Sequence, residues 1–427
     1  MSGDRKLAVE EMVHLADNRS RVTVICTVRG GVEDKPLAQA FDATVARIPS
    51  LRCGIEQDGP VEFAFRPLTS GLPELQVRPG GPRALTEELN TPLPPGGPLV
   101  RATLLRGGDG AGEDEDTFVL SVDHAITDGQ SALAVCHAVW RAYTAAAAGT
   151  FTLPEPAQDA LPAPLSARLA PHSPEELAAY VAGRRERMRL APMASLPFAA
   201  ADQSLPEGEL PLDAARVRLD AEQTARLVGH ARAVGVSVHG LVVGSLLLAI
   251  REQLATGTET LRLSSMSPVD LRGRLDPPVD PEVMIPAASL FFDILDVPDG
   301  ADPVSLGREV IGNLRAAIDR GDLAREILAA PQVLMDPSLL RAGLVTTNLG
   351  QVPVPEVPDG LEITDLRCFA LGDKSFPQAG EGPLVVSVLT VLGRLDIEFP
   401  YSRLHFTAGQ MAAIREAVRG HLLGLIA

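Results

Sequence analysis

Cysteine is scarce and unpaired in this sequence. Cys26, Cys53, Cys136 and Cys368 stand far apart with no Cys-x-x-Cys spacing, so neither a zinc site nor a disulfide framework is indicated. Two histidines at metal-ligand spacing are also missing, and no metal is expected at the site. There is no Gly-x-Ser-x-Gly elbow to carry the nucleophile of an α/β-hydrolase, and no glycine-rich strand-to-helix turn of the kind a nicotinamide enzyme uses. Gly107-Gly108-Asp109-Gly110 is not a phosphate loop, because no Gly-Lys-Ser/Thr follows it. Lysine occurs only at Lys6, Lys35 and Lys374, and the formal net charge is −17. That balance argues against nucleic acid or an anionic membrane as a partner, since both need basic surface. No apolar run reaches about eighteen residues and no signal-peptide core follows Asp4-Arg5-Lys6, so a cytoplasmic chain without a transmembrane segment is expected.

What remains is an ordinary globular composition, 45% hydrophobic and 22% charged over 427 residues, long enough for two or three domains. Arginine in place of lysine, with abundant Ala, Gly and Pro, fits the coding bias of a GC-rich bacterial genome. Proline-rich stretches at 154–164 and 192–211 read as connectors and divide the chain into 1–165, a connector with one helix at 166–214, and 215–427. In the first part, 22–28, 51–65 and 99–105 read as strands and 35–48 as a helix with one apolar face; the acidic stretch 107–116 reads as a solvated hairpin loop. Ser173-Pro174-Glu175-Glu176 is a capping box opening a helix with Arg184, Arg185, Arg187 and Arg189, either a solvated face or a docking patch for an acidic carrier protein. Beyond 215, strands at 260–267, 287–297, 344–348, 361–371, 384–392 and 395–401 accompany helices at 239–254, 304–319 and 407–426, the content of an α/β unit.

The stretch from Phe118 to Gly129 reads as strand, turn, helix. Phe118, Leu120 and Val122 alternate with Thr117, Val119 and Ser121, so one face of the strand is buried, and His124 continues that face. Ala132, Leu133, Val135, Cys136, Val139, Trp140 and Tyr143 then recur at helical spacing. Neutral imidazole accepts a proton near pH 7 without strong perturbation, which makes His124 a candidate base; Asp128 is placed to brace the turn and Gly129 to allow close backbone approach. Chance supplies about 0.05 matches to His-x-x-x-Asp-Gly in a chain of this composition. The motif by itself reads equally well as a core histidine satisfied by a turn aspartate.

His124-Ala125-Ile126-Thr127-Asp128-Gly129 resembles the active-site motif of the superfamily that holds chloramphenicol acetyltransferase, nonribosomal peptide condensation domains and polyketide-associated acyltransferases. It looks most like the phthiocerol dimycocerosyltransferase branch. Arg5-Lys6-Leu7 with Glu10-Glu11, then Pro268-Val269-Asp270-Leu271-Arg272, then Thr347-Asn348-Leu349-Gly350 extend the resemblance over nearly the whole chain. One departure stands out: the family has two adjacent histidines, and the first position here is Asp123, which on a strand points away from His124.

The resemblance implies an α/β fold of two acetyltransferase-like lobes, mixed sheets with packed helices, forming a V-shaped molecule with an active-site tunnel between them. It implies an acyltransferase carrying an acyl group from a carrier-protein or coenzyme A thioester to a hydroxyl of a polyketide-type product. His124 would be the general base, and Asp128 a structural residue paired with Arg272, which without the resemblance reads as a surface arginine. Ser264, Ser267, Thr347 and Asn348 are candidate oxyanion or substrate contacts by position. No cofactor is implied beyond the thioester, and an acyl carrier protein of a polyketide or nonribosomal peptide synthase is the implied partner. Amide-forming condensation is the alternative, as is a condensation-like cyclase or non-catalytic synthase partner, which the replacement at Asp123 keeps open.

Overall fold

The computed structural model describes residues 4–15, 20–81, 83–107, 115–152, 160–189, 193–198, 205, 209–254, 257, 259–372 and 382–427; most of the acidic loop and much of both proline-rich connectors lie outside them. The chain begins with β1 (Arg5–Lys6), α1 (Val9–Met12), β2 (Ser20–Arg29), α2 (Asp34–Arg47), β3 (Cys53–Gln57), β4 (Phe63–Pro67) and β5 (Leu75–Pro79). It continues through α3 (Ala84–Leu89), β6 (Val100–Arg106), β7 (Glu115–Asp123), α4 (Gly129–Ala147), α5 (Pro174–Arg189), β8 (Leu212–Leu219), α6 (Ala221–Val234) and α7 (Val238–Leu254). Then follow β9 (Leu261–Asp270), β10 (Ala288–Val297), α8 (Pro303–Asp319), α9 (Asp322–Leu328), α10 (Ala330–Leu334), β11 (Leu344–Gln351), β12 (Glu362–Gly372), β13 (Leu384–Val391), β14 (Arg394–Ser402) and α11 (Ala408–Gly424). Among the described residues no single helix is long and apolar enough to cross a membrane.

Two compact units emerge. The first comprises 1–168 with 272–287 and 352–373, and its main sheet has the order β12-β2-β7-β6-β5 beside a small sheet β1-β4-β3. Here a division of the chain at 165 and 215 gives way, because β12 pairs antiparallel with β2 from Glu362 opposite Arg29 to Gly372 opposite Ser20. Helices α2 and α4 pack on each other, and α4 lies on β2, β7 and β12. Trp140 of α4 is fully buried, edge-on to Phe118 at 5.7 Å and to Tyr143 at 5.4 Å. The alternation in β7 foretells one buried face, yet both are buried, from Asp116 to Asp123. Apart from Val119 the second face is small and polar, and its buried groups find partners within the sheet, as the Thr23 and Ser121 hydroxyls do at 3.2 Å.

The second unit, 169–271 with 288–351 and 374–427, is built on the mixed sheet β10-β9-β11-β13-β14-β8. Helix α7 is buried along almost its whole length and crosses α8 where glycines allow the backbones to meet. Of the four arginines on α5, Arg184 belongs to neither a solvated face nor a docking patch. It is buried beside Tyr180, bonded to the Glu326 carboxylate and the Leu339 carbonyl, while Arg185 pairs with Asp336 at 2.9 Å and Arg189 with Glu186.

Candidate active site

Strand β7 ends at Asp123, and the chain turns sharply into α4. The His124 N–H donates to the Ser20 carbonyl on β2 (2.9 Å), Ala125 N–H to Asp123 Oδ1 (3.0 Å) and Ile126 N–H to the Asp123 carbonyl (3.2 Å). Asp123 is fully buried and lies in register with buried Arg21 on β2, as Ser121 does with Thr23, so these four share the polar face of the sheet. The carboxylate at the departing motif position is therefore a brace for the turn that presents His124.

Asp128 caps α4, which begins at Gly129. Its Oδ1 accepts the Ser131 N–H (3.1 Å) and the Ser131 hydroxyl (3.2 Å), while the Asp128 N–H donates back to Ser131 Oγ (3.1 Å), a reciprocal cap. Its Oδ2 accepts Arg272 Nη1 at 2.6 Å and the Ala287 N–H at 2.9 Å. Arg272 in turn donates from Nη2 to the Ile285 carbonyl (2.9 Å) and to Ser131 Oγ (3.3 Å). Both charges are buried, with side-chain exposures of 3% and 10%, so each depends on the other. Burial alone would raise the Asp128 carboxyl, but the Arg272 guanidinium and the N–H groups of Ala287 and Ser131 hold it below its ordinary value.

His124 keeps partial exposure. Burial pushes its imidazole below the ordinary value, against its own backbone carbonyl, the Asp128 carboxylate, the Thr127 carbonyl and the Asp123 carboxylate, which all favour the charged form. At neutral pH the ring is therefore uncharged and able to accept a proton. A second imidazole lies against it. The ring of His14, from the turn after α1, is 3.9 Å from that of His124 between centroids and 4° from parallel.

The structure thus brings together His124, Asp128, Gly129 and Arg272 within the first unit. It adds Ser131 and His14. Ser131 was within reach of the sequence, since Asp128-x-x-Ser131 is a capping spacing; nothing in the sequence pointed to His14, which stands in the turn after α1 and meets His124 only through the tertiary fold. Ser264 and Ser267 on β9 and Thr347 and Asn348 on β11 belong to the second unit. There Ser264 Oγ accepts the Gly343 N–H (2.8 Å), Asn348 Oδ1 accepts the Gly350 N–H (2.8 Å), and Thr347 lies opposite Ser387 of β13. Ser267 Oγ is 3.1 Å from Nε2 of His239, a ring pushed down to about 4 by burial. Among the described residues no group of three or more His, Cys, Asp or Glu is placed to hold a metal ion.

Residues 208–400 match the family model for the phthiocerol/phthiodiolone dimycocerosyl transferase C-terminus. Over 374 residues the chain is 26% identical to a phthiocerol/phthiodiolone dimycocerosyl transferase of Mycobacterium ulcerans, with 85% of this chain and 84% of that protein covered. Among solved structures it is similar to polyketide synthase associated protein 5 from Mycobacterium tuberculosis (TM-score 0.72, 22% identity, 97% of each chain). It is also similar to a trichothecene 15-O-acetyltransferase from Fusarium sporotrichioides (TM-score 0.76, 12% identity, 99% of this chain and 95% of that one). The α/β fold, with two main sheets and a small third one, is the one that these solved structures share.

Proposed function

Starting from a chain related to the phthiocerol dimycocerosyl transferases and folded as a condensation-type acyltransferase, we propose that it moves an acyl group from a thioester to a hydroxyl of a polyketide-type product. The donor is held on an acyl carrier protein or on coenzyme A, and the reaction takes place in the cytoplasm. The observation that carries this reading is the His124 turn, with a neutral imidazole at the end of a buried strand and a capped, ion-paired helix start directly behind it.

A thioester is already activated, so the enzyme needs a base and alignment, and no covalent intermediate. His124 takes the proton of the acceptor hydroxyl as its oxygen attacks the thioester carbonyl. The C–O bond forms, the C–S bond breaks, and the departing thiolate takes the proton back from the imidazolium. Atoms and charge balance without a further reactant. Asp128 and Arg272 hold the turn and stay out of the proton transfer. Ser264, Ser267, Thr347 and Asn348 are proposed as substrate contacts from β9 and β11.

The test is acyl transfer from carrier-bound and coenzyme A thioesters to a long-chain alcohol, with the matching amine as a parallel acceptor. His124→Ala is expected to lose roughly 10²–10⁴-fold in rate with donor binding retained. The rate of the parent should fall on the acid side below pH 6.5, the ordinary value from which burial lowers the imidazole. Asp123→Ala, if it folds, should keep most of the turnover. A folded His124→Ala protein as active as the parent removes the general-base assignment, and transfer to the amine alone makes the chain a condensation enzyme.

A further inference from the structure

Among the described residues one titratable side chain, His14, faces His124 ring to ring, and the reaction as written gives it nothing to do. We propose that His14 is a positioning residue for His124, a flat platform that fixes the plane of the base and supports it when it carries the proton. The inference rests on the reading of His124 as the base.

The geometry is specific. The rings are stacked at 3.9 Å and 4°, and rotation of His124 out of this plane would lose the face-to-face contact. Ser20 ties the pair together through three groups. Its carbonyl accepts the His124 N–H at 2.9 Å, its N–H donates to the His14 carbonyl at 3.1 Å, and its hydroxyl is 3.3 Å from His14 Nδ1. The platform itself is anchored. Arg5 forms a two-pronged ion pair with buried Glu11 (2.6 and 2.8 Å), Glu11 Oε2 also accepts the Ala8 N–H (2.8 Å), and Glu10 Oε1 accepts the Ser166 N–H (2.7 Å). These contacts hold α1, and the turn leaving α1 delivers His14.

The arrangement favours one proton between two rings. The charged groups facing the pair from the surrounding elements are the Asp123 and Asp128 carboxylates, each already engaged, Asp123 in the turn and Asp128 with Arg272. His14 is driven well below the ordinary imidazole value by burial first and then by His124. His14 therefore stays neutral while His124 takes the acceptor's proton, and a neutral π face beside an imidazolium is stabilising. A charged residue at position 14 would instead repel it.

The experiment compares His14→Ala and His14→Phe in the full chain. The readouts are kcat and KM for the thioester and the pH titration of the His124 ring by NMR. Removing the platform in His14→Ala is expected to lower kcat about tenfold with little change in KM. It should also lower the His124 titration midpoint, since the face that stabilises the imidazolium is gone. His14→Phe, which keeps a flat uncharged face, should recover most of the lost kcat. Equal activity in both variants, or a His124 titration in His14→Ala that matches the parent, overturns the proposal. A loss in His14→Phe as large as in His14→Ala also overturns it, since a nitrogen and not the face would then matter. The titration is independent of turnover, so a chain whose base lies elsewhere is recognised by an active His124→Ala, whatever the stack does.

Discussion

The Asp128–Arg272 pair concentrates most of the local electrostatic risk at the site. Removing one partner leaves a buried, uncompensated charge, so Asp128→Asn and Arg272→Ala should each cost roughly 3–5 kcal/mol of stability by denaturant unfolding. The double variant should cost less than the sum, because both changes remove one interaction; additive losses would contradict a contact of 2.6 Å. The pH dependence has a definite sign. Asp128 is held below its ordinary 3.8, so its contribution is present above that pH and is lost as pH falls through the depressed value. His14 and His124 are lowered from 6.5, so the unfolded chain binds protons that the folded chain refuses, and their contribution is full above pH 6.5 and declines below it. His14→Phe should therefore lose less stability than the parent as pH falls below 6.5 in thermal melts; an identical acid limb would mean that His14 titrates as it does in the unfolded chain. Asp128 was legible in the sequence through the motif, and Arg272 only through the family resemblance. The partner on the other side of His124 was not, because a stacking contact between a turn and a strand end leaves no periodicity to read.

Helices and strands long enough to show a period were legible, and their bounds move by only a few residues. The short ones were not. Strands β1 and β5 and helices α1, α3, α9 and α10 span a few residues each, too few for a pattern, and tertiary pairing defines them. Strand β9 runs on through Pro268 to Asp270, beyond its expected end, because its Pro268 pairs with Leu290 on the β10 side while pairing with β11 is recorded only at Ser265 and Met266. The α7–α8 crossing is a second feature that sequence alone leaves unread. A Cβ on Gly307 would lie 2.5 Å from the Gly240 carbonyl oxygen, and one on Gly244 would lie 2.3 Å from that of Pro303. Both obstacles are backbone and cannot swing aside. Gly244→Ala and Gly307→Ala should each destabilise the chain by about 1–3 kcal/mol through overpacking, despite the better helix propensity of alanine. A rise in Tm in either variant would mean that the two helices have room to part.

At the scale of the whole chain, the informative fact is that the first unit is not a contiguous stretch. Residues 1–168 supply β2, β7 and the His124 turn, but the outer strand β12 and the Arg272 segment come from 352–373 and 272–287. The proline-rich stretch 154–164 lies just before the crossing at 168, but 192–211 lies wholly inside the second unit and neither stretch tells of a later return, so a division by sequence position places β12 and Arg272 with the wrong unit. The consequence can be tested by expressing 1–168 alone. Such a fragment leaves β2 without the partner that covers it from Ser20 to Arg29, an open edge inviting association. It also leaves Asp128 without Arg272 and without the Ala287 N–H, two of the groups that hold its carboxylate. The fragment should therefore aggregate or unfold without a cooperative transition, and adding 272–287 alone should not rescue it, because the strand is still missing. The His14–His124 stack requires only residues within 1–168, so its absence from a soluble fragment would show that the sheet must be complete before the turn takes its shape. A monomeric fragment with a sharp thermal transition would refute this account and make the returning segments additions to a unit that folds without them.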